Sequence, residues 1–296
     1  MQDFIAASVQ ITPVPNAFNE NLAKVCAWHE QAVRASGAKL VVFPESITSG
    51  FNPAMRAKDF YPLIPRDLAA YLRPLRRLCQ ATRSFCVLPT YERAPRAGVV
   101  YNSALLIGDT GRILGTYRKT HPFPTEHVRN GGWTTPGSDI PVFRTRLGVI
   151  GIIICYDGDF PELIRAEAVQ GAEVIARPSA LLRHYEIWEM SNRMRAYENN
   201  VFMVAANAVG SDAKGSHYYG HSMIVSPAAD KLALARSGEE IVYAQLAPRA
   251  LGRGTAGSPV PFLVDHLGDR NLASYRPHLL RPATSRLAPH APRRRG

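Results

Sequence analysis

No apolar stretch in this sequence approaches the ~18 to 20 residues a membrane-spanning helix needs. The opening MQDFIAASVQ has neither the basic start nor the long apolar core of a secretory leader. A cytoplasmic protein without a membrane partner is therefore expected. Cysteine is scarce: Cys26, Cys79, Cys86 and Cys155 stand far apart in the chain. They form no C-x-x-C pair and no His/Cys cluster, which excludes the usual patterns of a structural zinc site. Free thiols are the better reading. Cys26 lies in a helical pattern and Cys86 in an apolar run, so both read as small buried hydrophobes. The glycine-rich GRGTAG at Gly252 to Gly257 lacks the Lys-Ser/Thr of a phosphate-binding loop and reads as a plain loop. The acids of DGD, Asp157 and Asp159, are not embedded in a calcium-loop pattern. No metal and no cofactor are expected.

Acidic residues are missing from the C-terminal end. From Arg276 onward the chain carries six arginines and no acid, so subtracting them from the formal charge of +11 leaves +5 for the rest. This stretch is rich in Pro and Arg and reads as a disordered tail over 276–296, following a body over 1–275. Its arginines are not interleaved with aromatic residues that could stack on bases, which argues against a nucleic-acid partner.

What is present is a globular composition, 46% hydrophobic and 20% charged, long enough to bury a large core. FIAASVQITP reads as a strand, NENLAKVCAWHEQAVRAS as a helix stopped by Gly37, and KLVVFPES as a strand buried on both faces. DLAAYLRPLRRLCQAT reads as one helix despite Pro74. The strands FCVLPTYE, YNSALLIG and RILGTYRKTHP follow, then an irregular stretch from His121 to Pro141. VFRTRLGVIGIIICYD gives two more strands. Asp159, Pro161 and Glu162 read as the N-cap, first-turn proline and capping acid of the next helix. The alternation continues to EIVYAQLAP with no composition break, so the expectation is an α/β layered fold with mixed sheets.

In GIIICYDGDFPE, Cys155 falls where a buried strand turns toward a helix, the kind of strand end at which α/β proteins bind substrates. A helix N-terminus there favours thiolate and lowers the thiol's pKa. Position alone leaves both readings of Cys155 open, nucleophile and packed core thiol. Two other strand ends bear on the choice. VVFPES ends a buried strand on an acid, Glu45, and GTYRKTHP ends another on Lys119. Together the three ends offer a base, a cation and a nucleophile.

FPES, YRKTHP and ICYDGDFPE, in this chain order, resemble the Glu-Lys-Cys motifs of the nitrilase, or carbon-nitrogen hydrolase, superfamily. The resemblance runs from residue 3 to about residue 247. RAYENNVFMVAANAVG and YYGHSMIVSP look most like its aliphatic amidase and formamidase branch. It implies a four-layer αββα sandwich with two mixed β-sheets, paired into a homodimer or larger assembly. It implies catalysis by Glu45, Lys119 and Cys155, with Glu126 of KTHPFPTEH matching a further glutamate, although HVRNGGW lengthens the stretch that follows. In these roles Glu45 shuttles the proton, and Lys119 holds an oxyanion together with the backbone N–H of Tyr156. Tyr156, Arg177 and Ser179 are the substrate-binding candidates. Relatives that cleave N-carbamoyl amino acids place arginine just after the cysteine motif, where this chain has Gly158 and Asp159. Tyr156 and Asp157 after the cysteine disfavour a true nitrilase. A small or medium neutral amide is the expected substrate, with an N-carbamoyl compound or a nitrile as the alternatives. Arg177 and Arg183 remain candidates to reach an anion.

Overall fold

A computed structural model describes residues 1–248 and 265–279. GRGTAG and residues 280–296 of the expected tail lie outside the described residues.

The chain starts as β1 (Phe4–Gln10), α1 (Phe18–Ser36) and β2 (Leu40–Val42). In α1 the buried Leu22, Val25, His29 and Ala32 recur at three- and four-residue steps. Cys26, read from the sequence as a buried hydrophobe, is only partly buried. The helix ends at Gly37, whose φ of 71° lets its N–H close on Val33 O. After the single turn α2 (Ala57–Phe60), the stretch expected as one helix is two, α3 (Leu68–Tyr71) and α4 (Arg73–Thr82). Pro74 has no N–H to continue a helix and is accommodated in the first turn of the second one.

Three strands follow, β3 (Phe85–Arg93), β4 (Val100–Ile107) and β5 (Ile113–Arg118). After the irregular stretch come β6 (Val142–Thr145), β7 (Gly148–Ile152), α5 (Pro161–Val169), β8 (Val174–Ser179), α6 (Tyr185–Asn199) and β9 (Phe202–Asn207). A short hairpin, β10 (Val209–Ser211) with β11 (His217–Tyr219), precedes β12 (Met223–Val225), β13 (Lys231–Leu234) and β14 (Glu240–Leu246). A last turn, α7 (Leu272–Tyr275), lies in the C-terminal described segment.

The strands form two six-stranded mixed sheets, ordered β14-β1-β2-β3-β4-β5 and β13-β12-β9-β8-β7-β6. In the first, β1, β2 and β3 are parallel while β14, β4 and β5 join antiparallel. In the second, β7, β8 and β9 are parallel while β6, β12 and β13 join antiparallel. The sheets pack face to face. Leu40, Val42, Val87 and Leu106 share one core with Ile152, Ala176 and Val204, while Val41, Phe43, Cys86 and Leu88 turn to the other face, against α1 and α4. Ser8 Oγ of β1 donates to Ala205 O of β9 at 3.0 Å, tying the two sheets directly. The outer face of the second sheet carries α5 and α6, which bury Leu163, Ile164, Trp188 and Ala196. This is the αββα sandwich, and it explains why KLVVF is apolar without alternation: β2 has a packed layer on each side.

Candidate active site

Glu45, Lys119 and Glu126 arrive from three parts of the first half and meet out of contact with solvent. Glu45 lies three residues past β2, Lys119 directly after β5, and Glu126 in the irregular stretch that follows. Lys119 Nζ donates to Glu45 Oε1 at 2.7 Å and to Glu126 Oε1 at 2.5 Å, and the side chains of all three are 0% exposed. Asn102 of β4 bridges the acids, donating from Nδ2 to Glu45 Oε1 at 2.7 Å and to Glu126 Oε2 at 3.2 Å. Phe123 N and Thr134 Oγ1 also donate to Glu126. The second sheet contributes the N–H of Ala180, just past β8, to Glu45 Oε2 at 2.9 Å.

Two carboxylates around one ammonium leave the cluster one negative charge in excess. Burial raises the Glu45 pKa above the ordinary carboxylate value, and Glu126 adds to the rise against the pull of Lys119. For Lys119, burial opposes the charge, but the two carboxylates outweigh it and hold the ammonium well above its ordinary value.

Cys155 opens a tight 3₁₀ turn, Cys155–Asp159, beyond β7. Its φ of 49° is a conformation that L residues with a Cβ rarely adopt, so the surroundings must hold it. Asp157 is one holder. Fully buried, it accepts from Ile154 N at 2.9 Å, Tyr117 Oη at 2.7 Å and His121 N at 3.0 Å, with Thr120 Oγ1 at 3.3 Å and His121 Nδ1 at 3.0 Å also facing it. It thereby stitches the cysteine turn to the residues on either side of Lys119. Arg177 of β8 is the second holder. Its Nε and Nη2 donate to Cys155 O at 3.2 and 2.9 Å, and its Nη1 donates to Ser191 Oγ and Asn192 Oδ1 of α6 at 2.8 and 2.9 Å. The guanidinium lies 4.9 Å from the Trp188 ring centroid. It also passes so close beneath Gly158 that a Cβ there would sit 2.1 Å from Cζ, which accounts for the glycine in CYDGD.

The structure corrects the expectation of a lowered thiol pKa. Burial raises the Cys155 pKa, the Glu45 charge raises it further, and Lys119, the Ala180 N–H and Arg177 offset only part. The helix α5 begins six residues later, at Pro161, too far for its dipole to act on the thiol. Asp159 is likewise not the helix cap. The N-cap is Phe160 without a side-chain cap bond, and Asp159 instead receives Arg183 Nη1 and Nη2 at 2.6 and 2.8 Å.

A small cavity of about 30 Å³ adjoins the thiol, lined among others by Phe51, Phe123, Cys155, Tyr156, Leu182 and Arg183. Of the expected substrate contacts, Tyr156 is there, its ring edge-on to Phe123 at 5.3 Å. Arg177 is not: its donors are taken up beneath the turn, so it braces Cys155 rather than facing the cavity. Ser179 is fully buried at the end of β8. Its carbonyl accepts from Glu45 N at 3.3 Å, and its hydroxyl has no hydrogen-bond partner among the described residues. Sequence reasoning missed Asn102, Asp157 as a brace, and the Ala180 N–H. An asparagine inside the apolar YNSALLIG could have signalled the first; a backbone donor leaves no trace in residue type. Among the described residues no group of three or more His, Cys, Asp or Glu side chains could hold a metal ion, and no helix is long and apolar enough to cross a membrane.

Chemically, the arrangement sets a buried thiol within electrostatic reach of a carboxylate and a fixed ammonium. Comparison with known proteins bears on the family. A family profile for carbon-nitrogen hydrolases matches residues 5–253. A nitrilase of Pyrococcus abyssi is 35% identical, covering 80% of this chain and 86% of its own length. The omega-amidase NIT3 of Saccharomyces cerevisiae is 29% identical, covering 78% and 82%. The crystal structure of yeast Nit3, from branch 10 of the nitrilase superfamily, superposes with a TM-score of 0.73 at 27% identity over 84% of this chain and 92% of that one.

Proposed function

This chain belongs to the carbon-nitrogen hydrolase family, and from that premise we propose that it hydrolyses a small neutral amide to a carboxylate and ammonia through a thioester on Cys155. The observation that carries the reading is the fully buried cluster of Lys119 with Glu45 and Glu126, of which Glu45 and Lys119 follow strand ends of the first sheet and act by their charge on the Cys155 thiol of the second. Isolated buried charges are costly, and a cluster of three with one excess negative charge is what two-way proton transfer needs.

The steps follow from the groups. The raised pKa keeps Cys155 as a thiol at rest, so its proton must leave as Sγ attacks the amide carbon, and Glu45 takes it. The carbonyl oxygen becomes an oxyanion. Lys119 has three N–H donors, of which Glu45 and Glu126 use two, leaving one for that oxygen. The backbone N–H of Tyr156, in the first turn after β7, is the partner donor. As the tetrahedral adduct collapses, the C–N bond breaks and Glu45 returns the proton to nitrogen, releasing ammonia. Glu45 then takes a proton from water, whose oxygen attacks the thioester carbon; as this adduct collapses the C–S bond breaks, Glu45 returns the proton to sulfur to restore the thiol, and the acid product ionises to solvent and leaves as the carboxylate. Glu126 holds Lys119 in place. A carboxyl with raised pKa gives up and takes back its proton near neutral pH more readily than an ordinary one.

The neutral character of the substrate is supported by the arginines. Arg177 is spent beneath the turn and Arg183 is paired with Asp159, so neither offers a free cation to an acyl group. This favours the aliphatic amidase and formamidase branch. The active form is a homodimer or larger assembly, because Met190, Met194 and Tyr197 on α6 and Val169 on α5 leave apolar surface exposed. A monomeric mass by light scattering at micromolar concentration would remove that part. The main test is an ammonia-release screen over short aliphatic amides, nitriles and N-carbamoyl compounds, with carbon dioxide measured in parallel. Turnover of the amides with ammonia alone is expected; carbon dioxide release in step with ammonia would replace the reading by a carbamoyl hydrolase.

A further inference from the structure

Arg183 is the charged side chain in the lining of the Cys155 cavity, and the way it is held bears on which acyl groups can enter. It is partly buried, 32% exposed, and forms a two-pronged pair with Asp159, itself 23% exposed. Its guanidinium also lies 5.8 Å from the ring centroid of Tyr156, another lining residue. Asp159 is four residues past the cysteine in the same tight turn and is the acid that balances this region. A second guanidinium, Arg177, reaches to 3.9 Å from it, and a third, Arg195, donates to Gly158 O at 3.1 Å. Arg195 has its own partner in Glu198 at 2.9 Å. Removing the Asp159 charge would therefore leave two guanidinium groups uncompensated beside the cavity, and only Arg183 of the two faces it.

We propose that Asp159 is a specificity-determining residue, which masks Arg183 and so closes the cavity to acyl groups bearing a carboxylate. The proposal rests on the amidase reading for its consequence in catalysis, but its physical content is a statement about the cavity alone. A guanidinium whose two terminal nitrogens already meet one carboxylate has lost its end-on fork and has its charge neutralised, so that its remaining Nε edge offers a second carboxylate little attraction. A substrate carboxylate would have to displace Asp159 or sit near it unpaired, and like charges a few ångströms apart repel. Without the Asp159 charge, the same guanidinium becomes a receptor for an anionic acyl chain. The cavity lining then selects by charge what its size does not.

The test uses the thiol as its own reporter, so that it does not depend on any amide being turned over. Iodoacetamide and iodoacetate differ mainly by a neutral amide against a carboxylate. The rate at which each alkylates Cys155, followed by mass spectrometry of the peptide, gives a ratio in which the reactivity of the thiol cancels. In the wild type the ratio of iodoacetate to iodoacetamide is expected to be low. Asp159→Asn keeps the shape of the side chain and should raise it at least ~10-fold, the factor set by about 1.4 kcal/mol of charge pairing. The double variant Asp159→Asn with Arg183→Gln should return the ratio to near the wild-type value, because the receptor is gone. A ratio unmoved by Asp159→Asn in protein that melts normally overturns the proposal. So does a raised ratio that survives Arg183→Gln, since the gain would then come from lost negative charge and not from Arg183. If amides are turned over, the same variants give a second reading in kcat/KM for succinamate against butyramide, with the shift expected in the same direction. Absence of any amide turnover would remove the amidase reading and leave the alkylation result standing.

Discussion

The two sheets share one plan and use it for different ends. Each has three parallel strands, an antiparallel strand on one edge and two antiparallel strands on the other, so that β1, β2 and β3 correspond to β7, β8 and β9. The first sheet spends its strand ends on charge: Glu45 beyond β2, Lys119 beyond β5, and Asn102 within β4, joined by hydrogen bonds with the loop acid Glu126. The second spends them on conformation: a thiol at φ 49°, braced by Arg177 from below and Asp157 from beside. Charges in a dry interior need partners, and a backbone outlier needs bracing. The likeness of the sheets thus fixes where strand ends point, while the residues placed on them decide what each end does.

The largest expected effect breaks the second half at its centre. Cys155→Ala should abolish turnover, leaving only background hydrolysis, while circular dichroism and melting remain close to wild type. Cys26→Ala in α1 should stay active. Labelling that inactivates the enzyme at Cys79 or Cys86 while Cys155 remains free would sink the assignment.

Breaking the first half at its centre should cost both rate and stability. Lys119→Ala and Lys119→Arg should each lower kcat by at least ~10², because a guanidinium cannot place one compact donor at the same point. The structure puts Lys119 between two buried carboxylates. Removing it should also cost about 3–5 kcal/mol, read from denaturant unfolding. Near-wild-type kcat in Lys119→Arg would falsify the oxyanion role.

A gentler break separates bracing from chemistry. Gly158→Ala places a methyl group against the Arg177 guanidinium, so the guanidinium or the turn must shift. A displacement of about 1 Å at the nucleophile can cost ~10² in rate. The expected result is a fall in kcat with KM changed less than threefold, and unchanged kcat would show the turn to be held by Asp157 alone.

The pH profile sharpens the comparison without mutation. In the proposed mechanism Glu45 must be ionised to accept the thiol proton, and burial raises its pKa, so kcat/KM should fall on the acid side at a pH above the ordinary ~4.3 of a glutamate. A limb at or below that value would argue against Glu45 as the base.

The smallest effect concerns Glu167 on α5. It is fully buried, accepts Ile152 N at 3.1 Å through Oε1, and its Oε2 has no hydrogen-bond partner among the described residues. Burial raises its pKa well above the ordinary value. Folding therefore favours its protonated form: its contribution is fully present below the unfolded pKa and is lost as pH rises through the folded one. Glu167→Gln should melt like wild type near pH 4, below the ordinary ~4.3 of an unfolded glutamate, and be the more stable of the two at pH 9. Parallel melting curves at both pH values would contradict this.

Much of this was legible in the residues. KLVVFPES announces a strand with a layer on each side, and its acid end is out of place unless partnered, which is how the structure uses Glu45. The end at Cys155 was readable for the same reason, a polar group closing an apolar run, whereas Lys119 follows the edge strand β5, which is mostly not buried, and stood out by its motif alone. What was not legible depends on distant residues. Nothing near Arg177 says that its guanidinium runs under Gly158, because that contact is made by β8 and a turn nearly 20 residues earlier. Pairing of Asp159 with Arg183 displaced the local capping pattern for a similar reason. The thiol pKa ran opposite to the local expectation because burial, a property of the whole fold, outweighed a helix end.

The position of β14 has a consequence for how the chain is made. Residues Glu240–Leu246 pair along the whole of β1, Phe4–Gln10, so the first strand synthesised waits for the last described one to cover its edge. On the ribosome, the N-terminal half emerges with an open row of backbone donors and acceptors, a template for pairing with another nascent chain. Contacts this far apart in sequence also close slowly. Chains truncated before residue 240 are therefore expected in the insoluble fraction of expressing cells, even though Glu45, Lys119 and Cys155 are all present in them.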